Sequence, residues 1–193
     1  MFTGLIRHRT RVIKISKKGS SLLVLFSKPK GSKITTGDSL NLNGICSTVR
    51  KIGRNFFEVE YMRETFKLTT IRHWQRGLAI NLESSLRLGD KLGGHLIQGH
   101  VEAVGQVTNI KKIKQAKVLQ IKITPRLLKF ILPKGSIAVD GVSLTVIKTS
   151  QGFFSVSLVS YTLNHTNLGS LKTGDYVNIE TDILGRYLSH FLK

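Results

Sequence analysis

The sequence predicts an all-β protein of two tandem small barrels followed by a C-terminal α-helix. The first observation behind this is a repeat. Displacing the chain by 97 positions lays residues 37–86 on 134–183 without a gap. Ser39 meets Ser136, Gly44 meets Gly141, Thr48-Val49 meets Thr145-Val146, Phe56-Phe57 meets Phe153-Phe154, and Asn81 and Glu83 meet Asn178 and Glu180. The start of the chain fits at an offset of 95, with Phe2-Thr3-Gly4-Leu5-Ile6 on Ile97-Gln98-Gly99-His100-Val101. A repeat this long is two copies of a domain, not a short solenoid unit. The second observation is that each copy divides into short strand-like segments punctuated by turns, the pattern of a small barrel. The third is that the repeat breaks after Glu180, where the apolar residues switch to helical spacing.

In the first copy, Leu22–Phe26 is an apolar run between Gly19-Ser20-Ser21 and Pro29-Lys30-Gly31, while Ser39–Asn43 and Phe56–Tyr61 alternate with period two. Gly44 and Gly53-Arg54-Asn55 mark turns. Residues 64–71 suit a short helix. In the second copy, Lys117–Ile123, Ser136–Val139, Ser143–Ile147 and Phe153–Leu158 read as strands. Thr124 followed by Pro125 has the form of an N-cap and first helical residue, opening a short helix through Ile131. Between the copies lies Gly93-Gly94-His95-Leu96-Ile97-Gln98-Gly99-His100. Glycines this dense occur where a chain turns tightly or approaches another closely. At the end, Thr181 or Asp182 can cap a helix whose Ile183, Leu184, Tyr187, Leu188, Phe191 and Leu192 share one face. So short a helix is marginal alone; its stripe needs its own barrel or a neighbouring chain. The expected boundaries are 1–95, 96–180 and 181–193.

The net charge of +19 raises the possibility of an anionic partner. The basic residues are scattered, and the densest run is Lys111-Lys112-Ile113-Lys114. No aromatic residues interleave with them and no zinc-finger spacing occurs, which argues against a specific nucleic-acid function. Cys46 is the single cysteine, so no intrachain disulfide forms and a reducing compartment fits. No signal peptide and no apolar run of membrane-spanning length is visible. The expectation is a cytoplasmic protein that does not contact membrane.

Where the copies differ, chemistry can differ. Cys46 stands opposite Ser143, Leu5 opposite His100, Glu64 opposite Tyr161 and Ser85 opposite Asp182. Each also has a structural explanation: Cys46 beside a strand suits a small buried hydrophobe, and the serines and threonines suit satisfied strand hydroxyls. His95 and His100 have no cysteine or carboxylate at ligand spacing, so a metal site is not expected.

Met1–Ile6, Asn43–Val49, Glu64-Thr65 with Thr69, Gly93–Val101, Asp140–Val146, Tyr161–Gly169 and Asn178–Leu184 together resemble one family in order along the whole chain, riboflavin synthase. Ser47 stands where that family usually has leucine. The resemblance implies two six-stranded Greek-key barrels, a homotrimer held partly by the C-terminal helix, and a transferase with no metal or redox cofactor. Two molecules of 6,7-dimethyl-8-ribityllumazine would exchange a four-carbon unit, giving riboflavin and 5-amino-6-ribitylaminouracil. Carried over, an N-terminal pocket would comprise Gly4, Leu5, Ile6, Cys46, Ser47, Thr48 and a strand of Glu60, Tyr61, Met62, Arg63, Glu64 and Thr65. A C-terminal pocket would comprise Gly99, His100, Val101, Ser143, Leu144, Thr145 and a strand of Ser157, Leu158, Val159, Ser160, Tyr161 and Thr162. Lys134 would reach in from a neighbouring subunit. His100 would transfer a proton, Cys46 or Ser143 would add to or orient water at the lumazine C7, and Asp182 would orient another catalytic group. The alternative within the same fold is a non-catalytic lumazine- or flavin-binding protein.

Overall fold

The computed structural model describes residues 1–191. The first barrel contains β1 (His8–Lys18), β2 (Ser21–Ser27), β3 (Ser39–Leu42), β4 (Ile45–Ile52), β5 (Phe56–Tyr61) and β6 (Ala79–Ser84). The second contains β7 (Ala103–Ile113), β8 (Ala116–Lys122), β9 (Ser136–Val139), β10 (Val142–Ser150), β11 (Phe153–Leu158) and β12 (Tyr176–Thr181). The first closes in the order β1-β2-β5-β4-β3-β6 and the second in the equivalent order β7-β8-β11-β10-β9-β12. All pairings are antiparallel, and closure leaves no free sheet edge. Even the irregularities repeat. The β1–β2 register shifts between Val12 and Lys14 and the β7–β8 register between Val107 and Asn109, while β4 and β10 shift at Val49/Lys51 and Val146/Lys148. Bulges tighten strand twist, which small closed barrels require.

Each barrel has its own core. Val24, Phe26, Phe57, Val59, Ile80 and Leu82 are fully buried in the first, and Leu119, Ile121, Ile137, Val139, Val156 and Ile179 in the second. The helix expected over 64–71 is two pieces: α1 (Arg63–Leu68) and a 3-10 turn, Thr70–His73. Thr69 separates them with extended backbone (φ −125°, ψ 174°), and its hydroxyl donates to Thr65 O at 2.7 Å. Helix α2 (Pro125–Leu128) ends short of Ile131, and Thr124 makes no side-chain cap. The chain still turns so that Leu127 and Ile131 are buried. A helix α3 (Ser160–His165) repeats α1, and α4 (Ile183–Phe191) follows β12. Asp182 Oδ1 accepts the Leu184 N–H at 3.0 Å, capping α4. Leu184, Tyr187, Leu188 and Phe191 are all more than half exposed; Leu192 lies outside the described residues.

The barrels meet across a pseudo-two-fold axis built from the matched positions. Phe2 and Ile97 exchange backbone hydrogen bonds of 2.7 and 3.0 Å and are both fully buried. Asn81 donates to Asp140 O (3.0 Å) and accepts from Asn167 N (2.7 Å); Asn178 donates to Asn43 O and accepts from Thr70 N, both at 2.8 Å. The two asparagines therefore fasten each barrel to the other's backbone, and full satisfaction is what allows such polar groups to be buried.

Candidate active site

The segments preceding β1 and β7 build the site, and they do so crosswise. Glu83 on β6 accepts Thr3 N (2.7 Å), Thr3 Oγ1 (2.6 Å) and Gly4 N (3.0 Å). Glu180 on β12 accepts Gln98 N (2.7 Å), Gly99 N (2.9 Å) and His100 N (3.0 Å). Burial pushes both carboxyls above their ordinary range, and these donors pull the other way. Each segment is thus tethered to its own barrel by a glutamate, yet its carbonyl meets the opposite barrel. Gly4 O accepts Ser143 N at 3.0 Å, and Gly99 O accepts Cys46 N at 2.8 Å. Both glycines have positive φ, +79° and +78°, and a Cβ on either would lie 2.6 Å from the partner's backbone nitrogen. Only glycine permits both features.

Ser143 opens onto a pocket of about 140 Å³ lined by Gly4, Leu5, Ile6, Tyr161 and Thr162 among others. Behind it, His95 Nδ1 lies 2.7 Å from Ser143 Oγ. His95 is 8% exposed, and its Nε2 has no partner among the described residues. Burial holds its imidazole below the ordinary histidine range, against the opposing pull of the Asp182 carboxylate. A neutral imidazole beside a serine can take the hydroxyl proton or fix the hydroxyl's direction. On the other side of the axis Cys46 and His100 are both exposed at the equivalent mouth.

Two lumazine binding domains match the chain, over residues 3–85 and 98–182. The chain is 36% identical to riboflavin synthase of Actinobacillus pleuropneumoniae over 193 residues, covering all of this chain and 90% of the relative. It is 39% identical to riboflavin synthase of Brucella abortus, covering all of this chain and 98% of the relative. The chain belongs to the riboflavin synthase family. A crystal structure of LumP complexed with riboflavin superposes with a TM-score of 0.88 at 28% identity, covering 94% of this chain and 99% of that one.

Against the pattern expected of a riboflavin synthase chain, the structure corrects the grouping of residues. Gly4, Leu5 and Ile6 sit with Ser143 rather than Cys46, and Ile6 packs in the second barrel's core. Gly99, His100 and Val101 sit with Cys46 rather than Ser143, and Val101 packs on the first barrel's core. Linear order hides this exchange, because each segment is tethered to one barrel while its carbonyl faces the other. The stretches 60–65 and 157–162 are not single strands. β5 ends at Tyr61 and β11 at Leu158, the chain turns at Met62 and Val159, and helices α1 and α3 carry Arg63, Glu64, Thr65 and Ser160, Tyr161, Thr162.

Four expected ligand-contacting side chains point inward, because a strand's pleat alternates. Ser47, Tyr61, Leu144 and Leu158 are buried in the barrel interiors. Ser47 Oγ is 2.8 Å from Tyr61 Oη and donates to Ile45 O, so the serine in the family's leucine position has both partners inside the core. Their neighbours Thr48, Thr145 and Ser157 face outward, as do Met62 and Val159. Glu60 is half-buried and bonded to Ser21, on the Arg50 side of the barrel. Lys134 is exposed in a left-handed turn before β9 (φ +66°). Asp182 caps α4 through the Leu184 N–H, and its carboxylate opposes the effect of burial on His95. His95, which the sequence brings up only as an improbable metal ligand, joins the site through Ser143. Its signal was Gly94, where a Cβ would strike Thr3 O at 2.1 Å and Ser143 Oγ at 3.0 Å.

Proposed function

We propose that the protein catalyses riboflavin formation from two molecules of 6,7-dimethyl-8-ribityllumazine, one giving up a four-carbon unit and the other receiving it. The observation that carries this reading is the doubled, crossed pocket: Gly4 with Ser143 and Gly99 with Cys46, in a chain of the riboflavin synthase family. Two identical substrates with opposite roles call for two like pockets with unlike side chains. Ser143, supported by neutral His95, directs a hydroxyl or water to C7 of one lumazine. His100, beside Cys46, removes a proton from the C7 methyl of the other, and the resulting carbanion attacks the first ring. Holding the two rings in contact itself removes several kcal/mol of the barrier.

In this reading the active enzyme is a homotrimer. The first-barrel pocket of one subunit faces the second-barrel pocket of the next, Lys134 reaches across, and the exposed apolar face of α4 is covered by a neighbour. Cytoplasmic location is supported by the single cysteine, which suits a reducing compartment. Among the described residues no helix is long and apolar enough to cross a membrane.

The test is to mix the protein with the lumazine and follow absorbance. Riboflavin should appear at half the rate at which lumazine disappears, and His100→Gln and Cys46→Ser should slow it. Tight binding without turnover would instead identify a non-catalytic lumazine-binding protein. Unchanged rates in both variants would remove the assigned roles while leaving the reaction.

A further inference from the structure

β1 leaves the crossing segment at Ile6 and runs past the mouth of the Ser143 pocket. Its pleat turns Thr10 inward and Arg9 and Arg11 outward, and Arg7 just before the strand lies on the same side; all three arginines are exposed. The arginines form one wall of a cleft of about 590 Å³, and Tyr161, Asn164 and His165 of α3 form the other. The Tyr161 and His165 rings stack with centroids 4.0 Å apart. Ile6, Arg7, Tyr161 and His165 line both the cleft and the Ser143 pocket, so the two spaces are continuous. Among the described residues no carboxylate lines the cleft. Among the described residues the ion pairs involve Arg50 and Arg186, not these three arginines. Arg11 does donate to Gly77 O at 3.0 Å, a contact that leaves its charge unneutralised.

The other copy serves as a control inside the same molecule. Where the first copy has Arg7, Arg9 and Arg11, the second has Glu102, Val104 and Gln106. Where α3 carries Tyr161, Asn164 and His165, α1 carries Glu64, Lys67 and Leu68. Glu102 is itself neutralised by Arg186 of α4 at 2.7 Å. The barrel therefore folds without a cation row at this place. Lumazine and riboflavin both end in an uncharged polyhydroxy chain, so the reaction gives the row nothing to neutralise.

We propose that the Ser143 pocket and this cleft together bind a flavin nucleotide, with the ring in the pocket and the phosphate monoester against Arg7, Arg9 and Arg11. Guanidinium groups match phosphate oxygens in paired, charge-assisted hydrogen bonds. A phosphorylated flavin then competes with lumazine for the Ser143 pocket, which gives the enzyme a response to the phosphorylated form of its product. This rests on the pocket reading above.

The experiment titrates the wild-type protein and the Arg9→Gln/Arg11→Gln variant with riboflavin and with flavin mononucleotide, at low salt because exposed charges are screened. Inorganic phosphate alone is tested by thermal shift. In the wild type the nucleotide should bind about tenfold or more tighter than riboflavin. The variant should lose that advantage while keeping its riboflavin affinity and its turnover. Equal affinity of the two flavins, or an advantage that survives in the variant, overturns the proposal and leaves the pocket intact. Wild-type stabilisation by phosphate alone, without a nucleotide advantage, overturns it in favour of a free-phosphate site. Failure of both flavins to bind the wild type removes the pocket reading, and this proposal with it.

Discussion

The two barrels have one scaffold and two chemistries. They share strand order, bulges, crossing glycines, tethering glutamates and the asparagine seam. They differ where that scaffold makes no demand. The first core contains Ser47, Tyr61 and Trp74, with Tyr61 and Trp74 meeting edge to face at 6.0 Å; the second has Leu144, Leu158 and Leu171 at the same places. At the axis Asn43 is the counterpart of Asp140. At the mouths Cys46 is the counterpart of Ser143, and Arg7 the counterpart of Glu102. Backbone geometry has been held by residues whose conformation or hydrogen bonding is irreplaceable, while the side chains around it have been free to diverge.

The largest expected effect comes from breaking a shared device. Gly99→Ala or Gly4→Ala puts a methyl group 2.6 Å from a backbone nitrogen at positive φ, and should cost roughly 3 kcal/mol or more. Gly77 has φ +89° but nothing near its missing Cβ, so Gly77→Ala should cost only about 1–2 kcal/mol. Denaturant midpoints separate the two cases; equal losses would mean that close approach is not what demands glycine at the crossing. Next comes Glu180→Gln. It leaves one oxygen where a carboxylate accepts three N–H groups, and about 2 kcal/mol should be lost. Turnover should fall as well, because the carbonyl partner of Cys46 is no longer held.

A smaller effect sharpens the contrast between the cores. Ser47→Leu leaves the Tyr61 hydroxyl without its partner and should cost about 1–2 kcal/mol. Adding Tyr61→Leu copies the other barrel's pair, and the double variant should be more stable than the two single losses imply, by about 1 kcal/mol. Strict additivity in urea unfolding would show that the hydroxyl pair is uncoupled.

The last contrast is a pH dependence at the axis. Burial raises the Asp140 carboxyl from 3.8 to about 7, despite donors from Asn178 N and Asn167 Nδ2. The folded chain keeps a proton there that the unfolded chain has lost. The associated stability is complete below pH 3.8 and is lost as the pH rises through 7. His95 works in the opposite direction. Its folded value is lowered below 6.5, so its contribution is present above pH 6.5 and is lost as the pH falls. Melting temperatures of Asp140→Asn against wild type between pH 4 and 8 isolate the aspartate; parallel curves would exclude it.

Much of this was legible in the sequence because it is written in periodicity and turn residues. The duplicated barrels followed from the repeat and the strand punctuation, β5, β9 and β11 fell within their expected bounds, and α4 starts at the break after Glu180. The helix at 160–165 was implied by the repeat, yet Ser160–His165 carries too little helical patterning to announce itself. Inward and outward positions on β4 and β10 could have been read from the pleat once Val49 and Val146 were placed in the cores. Tertiary structure alone decided which half meets which. Nothing near Gly4 in the chain says that its carbonyl meets Ser143, because that hydrogen bond depends on how the second barrel docks across the axis. The same docking brings His95 to Ser143 and turns Arg7, Arg9 and Arg11 toward Tyr161 and His165. Local sequence determines strands, turns and caps through short-range sterics and solvation; contacts across the axis arise only when two completed barrels satisfy each other's buried amides.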